Sequence, residues 1–138
     1  MRKFLICILA SVVLAAGLSI GCGEKTEAPK TIDYQVLRQW SIPTWHTPGG
    51  GIGMELLVSE DATKEEVLAL ANSLRSKYLP RKDYFITIQI FDSLEAYSHR
   101  EDLTYPEEEY FKHFLIDITR NPNTGYDEIS WVAKGRGH

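Results

Sequence analysis

Tyr84 to Phe91 reads Tyr-Phe-Ile-Thr-Ile-Gln-Ile-Phe, and this octet constrains the fold more than any other stretch. In an extended chain successive side chains point to opposite faces. Tyr84, Ile86, Ile88 and Ile90 therefore share one side, and Thr87 and Gln89 share the other. A strand with one apolar and one polar face belongs to a sheet covered mainly on one side. The cover is predicted immediately upstream, over Lys64 to Lys77. Val67, Leu70, Ala71, Leu74 and Tyr78 form one stripe at helical spacing. Thr63 and Glu66 make a capping box at the start, and Pro80, which cannot continue a helix, closes the segment.

The flanking segments extend the pattern. Tyr34 to Ile42 alternates as a strand, with Tyr34, Val36, Trp40 and Ile42 expected on one side and Arg38 interrupting. Pro43 ends it, and Trp45 to Gly51 reads as a loop. Ile52 to Val58 is the next strand. After Phe91, Asp92 or Ser93 is expected to cap a short helix through Leu94, Ala96 and Tyr97. Glu101 to Glu109 reads as irregular and acidic, with Pro106 opening one helical turn. Phe114 to Thr119 returns to strand, with Phe114, Ile116 and Ile118 inward. Asn121-Pro122-Asn123-Thr124-Gly125 is turn chemistry. Tyr126 to Ala133 is the returning strand, with Ile129, Trp131 and Ala133 inward, so the last two strands form a hairpin. The expected fold is α+β, a two-layer sandwich in the order β-β-α-β-α-β-β. One main helix packs on one face of a mostly antiparallel sheet of about five strands.

The N-terminus has a different character. Arg2 and Lys3 precede an uncharged apolar run from Phe4 to Ile20, followed by Gly21 and Cys22. A basic start, an apolar middle and small residues at a cleavage point are the parts of an export signal. With the cysteine in that place, residues 1–22 resemble the signal peptide and lipobox of bacterial lipoproteins. Ser19 stands where many members carry Leu, and Leu18 lies one position further out. The resemblance implies removal of residues 1–21 and lipidation of Cys22. Gly23 follows the cysteine in place of the aspartate that retains lipoproteins in the inner membrane of enteric bacteria. An outer-membrane destination is thus open in an organism with two membranes. Two other readings stand beside this one. Phe4 to Ile20 is barely long enough for an uncleaved transmembrane helix, which needs about 20 residues, and a secreted protein cleaved near Gly21 would also carry these features. Gly23 to Lys30 has no aromatic or branched apolar residue, and residues 22–31 are expected to be a flexible tether. A single α+β domain is expected over 32–134, with a short tail at 135–138.

Charge and cysteine content narrow the function. The chain has 15 Lys and Arg against 19 Asp and Glu. Arg2 and Lys3 lie in the leader, which has no acid, so the remaining chain carries 13 bases and 19 acids, a formal −6. That balance disfavours nucleic acid or anionic lipid as the main partner, since both demand a basic footprint. The membrane would be engaged through the lipid anchor. The only cysteines are Cys7 and Cys22. A lipidated Cys22 leaves the body of the protein without a thiol nucleophile, a disulfide or a thiolate metal site.

No motif announces a reaction. Gly49-Gly50-Gly51-Ile52-Gly53 opens a strand, whereas a phosphate loop opens a helix, so it reads as a flexible inter-strand loop. Trp45 and His46 beside it are the candidate ligand contact. The plainer alternative has Trp45 folded over the sheet edge and His46 in solvent. His46, His99, His113 and His138 show no metal-ligand spacing, and no metal or cofactor is expected. His113 is expected to point outward from its strand. Glu101, Asp102, Glu107, Glu108 and Glu109 read as a solvated acidic face, and no catalytic residue is assigned.

The favoured expectation is a lipid-anchored cell-envelope module without enzymatic activity, binding an envelope protein or a small ligand. One alternative is a small hydrolase or transferase using carboxylates with His46 or His99. The other is a structural or assembly component acting through a sheet edge.

Overall fold

Residues 32–135 are described by the computed structural model; the expected leader (1–21), the expected lipidation site Cys22, the rest of the expected tether to Thr31 and residues 136–138 lie outside them. The elements are β1 (Tyr34–Ile42), β2 (Gly51–Val58), α1 (Lys64–Tyr78), β3 (Phe85–Phe91), α2 (Leu94–Ser98), α3 (Glu107–His113), β4 (Phe114–Asn121) and β5 (Tyr126–Trp131). They form an α+β fold around one five-stranded sheet in the order β1-β2-β3-β4-β5. Three of the four pairings are antiparallel, and only β2 and β3 run parallel, with α1 as their crossover. Among the described residues no helix is long and apolar enough to cross a membrane.

The expected helix α1 forms for the reasons its sequence supplies. Thr63 Oγ1 accepts from the Glu66 amide at 3.3 Å, and the Glu66 carboxylate accepts from the Thr63 amide at 3.0 Å. Val67, Leu70, Ala71, Leu74 and Tyr78 are all buried. They lie against Met54, Leu56 and Val58 of β2, Ile86, Ile88 and Ile90 of β3, and Leu115, Ile116 and Ile118 of β4. Fully burying one such aliphatic side chain contributes about 1.5–3 kcal/mol, so this interface is the main source of stability.

Two β-bulges revise the expected facing of strands. The first lies between Val36 and Arg38. Tyr34 and Val36 pair with Val58 and Leu56, on the α1 side, whereas Arg38, Trp40 and Ile42 pair with Glu55, Gly53 and Gly51 on the opposite side. The five residues expected on one row are thus divided between two faces by the extra residue, Leu37. The second shift lies between Ile90 and Phe91, where Phe91 pairs with Phe114 and Leu115 becomes the extra residue. Leu115, Ile116 and Ile118 enter the core beneath α1. Phe114, expected inward with them, instead stacks on Phe91 at 5.0 Å. A bulge reverses the facing of everything beyond it, and the alternation of the sequence does not mark it.

The other correction concerns residues 107–113. In place of an irregular stretch with one helical turn, α3 runs from Glu107 to His113, and the order becomes β-β-α-β-α-α-β-β. Its Tyr110 lies 6.0 Å from Phe91, and Tyr97 of α2 lies 5.4 Å from the same ring. A second, aromatic cluster thus holds α2 and α3 at one end of the sheet. His113 closes α3 and does not point outward from a strand: its Nδ1 is 2.7 Å from Oδ1 of the buried Asp92. Ser93, not Asp92, caps α2.

Trp40 lies flat against Gly53 across the β1–β2 pair. A Cβ at Gly53 would stand 2.0 Å from the indole. Gly53→Ala is expected to destabilise the domain by about 1–3 kcal/mol through overpacking, measured by urea denaturation; an unchanged midpoint would refute this account of the contact.

Candidate functional site

One end of the sheet gathers three connections. β1 and β4 finish there, and β2, β3 and β5 begin there. The loop at 43–50, the approach to β3 at 79–84 and the hairpin turn at 121–125 therefore converge. They are tied together by named bonds. The His46 and Thr47 amides donate to Pro43 O at 3.0 and 3.4 Å, and the Gly50 amide donates to Thr47 O at 2.7 Å. The Gly49 amide donates to Asp83 O at 3.0 Å, and Asn123 Nδ2 donates to His46 O at 3.0 Å. Thr47 is fully buried. A Cβ at Gly49 would lie 2.4 Å from Asp83 O. The glycines here serve close packing of backbones, which the sequence expectation of a merely flexible loop did not include.

This bracing holds Trp45 out from the surface, 84% exposed and not folded over the sheet edge. Its ring meets His46 edge-on at 5.7 Å, and the His46 ring lies 5.8 Å from Phe85. An indole and an imidazole on a bonded turn offer a rigid apolar and polar contact with little entropy left to lose.

The face of the sheet away from α1 carries polar rows. Register aligns Arg38, Glu55, Gln89, Asp117 and Ser130 across the strands, and beside them Trp40, Gly53, Thr87, Thr119 and Glu128. Glu55 is only 6% exposed. Its carboxylate accepts from Tyr97 Oη at 2.6 Å and lies 3.9 Å from Arg38. Burial, then the bond to Glu55, pushes the Tyr97 phenol above its ordinary pKa. Sequence reading missed this pair because 42 positions separate its members. The available signal was a carboxylate in the middle of an otherwise apolar strand.

His99 and Asp102 stand at the opposite end of the sheet. His99 Nδ1 is 3.2 Å from Asp102 Oδ2, and the His99 ring stacks on Tyr105 at 4.6 Å. Bonds from the Thr104 hydroxyl and amide, then His99, hold the Asp102 carboxyl below its ordinary pKa. The pair borders a cavity of about 330 Å³ that also meets Arg100, Glu107 and Phe111. Glu108 and Glu109 face Lys112 from one side of α3. Among the described residues no three His, Cys, Asp or Glu side chains gather closely enough to hold a metal ion. The structure thus separates the histidines: His46 at the loop end, His99 and His113 with α2 and α3.

Arg75 of α1 joins the loop end to the helix. Its Nε and Nη2 donate to the two oxygens of Asp127 at 2.8 and 2.7 Å. The bond to Arg75 holds the Asp127 carboxyl below its ordinary pKa, overcoming partial burial.

No protein-family model, no curated protein and no solved structure matches this chain.

Two outcomes are expected. Tyr97→Phe removes the donor to buried Glu55 and should lower stability by about 1–3 kcal/mol, read by denaturant titration. Asp127 should contribute on the order of 0.5–1 kcal/mol. Its folded pKa is depressed, so the contribution is present above the unfolded carboxyl value of about 3.9 and is lost as pH falls through the folded value. Asp127→Asn should flatten that acid limb; an identical pH profile would contradict the assignment.

Proposed function

We propose that this chain is a lipid-anchored cell-envelope binding module that presents the Trp45–His46 end of its sheet to a partner. The observation that carries the reading is the exposed Trp45 on a turn held by backbone bonds. A tryptophan rigidly presented to solvent is the kind of anchor on which interface energy concentrates. The placement of this turn supports the same reading. The chain arrives from residues 22–31 at the Tyr34 end of β1, which pairs with Val58, while Trp45 follows the Ile42 end, which pairs with Gly51. Nine residues of strand separate these ends by roughly 30 Å. A tether bound to a bilayer through Cys22 thus enters at one end and leaves the other for contact.

The assembly reading through a sheet edge is weaker. β1 carries a bulge and Arg38, and β5 carries Asp127 and Glu128, features that discourage added strands. The enzymatic reading rests on the cavity beside His99 and Asp102.

Two measurements test the proposal. Full-length protein should fractionate with membranes, lacking residues 1–21 and with its cysteine modified, by intact mass, and Cys22→Ser should lose the modification and retain residues 1–21; an unmodified natural chain beginning at Met1 would exclude the anchor. A photo-reactive phenylalanine analogue at position 45 should give a discrete crosslinked species in intact cells. The same analogue at exposed Leu94, at the opposite end of the sheet, should not. Equal crosslinking from both positions would remove the case for the Trp45 end.

A further inference from the structure

Beside the hairpin turn lies a cavity of about 350 Å³, bordered by Lys82, Asp83, Arg120, Asn121, Gly125 and Asp127. Its charge balance differs from that of the acidic chain around it. Asp127 is opposite Arg120 in the β4–β5 register, yet both Asp127 oxygens are taken by Arg75. Arg120 instead donates Nη1 to Leu79 O at 3.3 Å, where α1 ends. Among the described residues neither Arg120 nor Lys82 has a carboxylate within ion-pair distance. The remaining carboxylate is Asp83, which enters β3 with a positive φ of 55°. A third donor is at hand. Asn121 Oδ1 accepts from the Asn123 amide at 3.0 Å, which turns its Nδ2 into an available donor.

The geometry points to a site for a phosphate-type oxyanion held by Arg120, Lys82 and Asn121. Arg120 supplies a charged fork suited to two oxygens, and Lys82 adds a compact positive charge. The Arg75–Asp127 pair is the positioning element: it engages both Asp127 oxygens, so Asp127 acts on Arg120 through charge alone and leaves the guanidinium without a carboxylate hydrogen bond among the described residues. The site uses residues other than Trp45 but shares its end of the sheet through Asn123, so a headgroup ligand would bring that end to the bilayer and count against the outward placement of Trp45. The surrounding acidic charge opposes an anion at long range, so binding is weak and depends on competing salt. A free phosphate and a lipid headgroup present the same oxyanion, and the two arms of the experiment separate these sources.

Full-length protein in phosphatidylcholine nanodiscs is titrated with inorganic phosphate at constant ionic strength, following the amide resonances of Lys82, Asn121 and Gly125. A second arm uses nanodiscs containing phosphatidylglycerol without added phosphate. Saturable shifts in the first arm identify a free phosphate as ligand, and shifts in the second arm identify the headgroup. In either case Arg120→Gln is expected to weaken binding about tenfold or more, and Lys82→Gln by several-fold. Lys82 is exposed, and its side chain is in no ion pair among the described residues, so its substitution tests the site even where Arg120→Gln disturbs the end of α1. The absence of saturable shifts in both arms overturns the site, as do shifts that survive both substitutions.

Discussion

The burial of a single helix against the three central strands is the constraint on which the rest of this protein depends. α1 presents Val67, Leu70, Ala71 and Leu74 to Leu56, Ile88, Ile90, Ile116 and Ile118. It is the crossover between the parallel strands β2 and β3, so the same segment both connects them and covers them. With one main helix available, the opposite face of the sheet has no equivalent apolar cover among the described residues. That face is accordingly built from Gln89, Thr87, Thr119, Asp117 and Ser130, with Trp40 laid on Gly53 near its edge. The polar face is thus a consequence of the helix count, and its side chains remain accessible for contact.

The ends of the sheet are finished by different means. At one end an aromatic cluster of Phe91, Tyr97, Tyr110 and Phe114 seats α2 and α3, and Tyr97 reaches back to Glu55. A buried carboxylate demands a donor, and Tyr97 supplies it. At the other end, hydrogen bonds to backbone carbonyls tie the 43–50, 79–84 and 121–125 segments together. These bonds leave Trp45 and Lys82 exposed there, and they leave Arg120 bonded to Leu79 O but to no carboxylate among the described residues. The contact surfaces considered for this protein fall at that end for a structural reason.

Much of the architecture was legible in the sequence because its signals are local. The capping box at Thr63 and Glu66, the apolar stripe of α1, the alternation of β3 and the turn residues 121–125 each act within a few positions. Where the reading departed from the structure, a non-local balance decided. Leu37 and Leu115 become bulge residues because neighbouring strands must keep register while satisfying packing on both faces. Glu107 to His113 becomes helical because Tyr110 finds Phe91 and Phe114, and His113 finds Asp92. Of the candidate contact, Trp45 and His46 were visible as an aromatic and a titratable ring beside glycines. Their bracing by Asp83 and Asn123 was not.

Periodicity and capping chemistry along the chain were sufficient to determine the helix, the strands and the apolar face, because each follows from the geometry of one element. The same chain-level pattern carries the basic start, apolar run and Cys22 on which the proposed lipoprotein signal rests. Only the tertiary structure decided that Glu55 would meet Tyr97 and that Arg75 would claim Asp127. It also decided that Arg120 and Lys82 would share a cavity. Those meetings depend on distance in space between residues remote along the backbone, and only the packed sheet and helix set it.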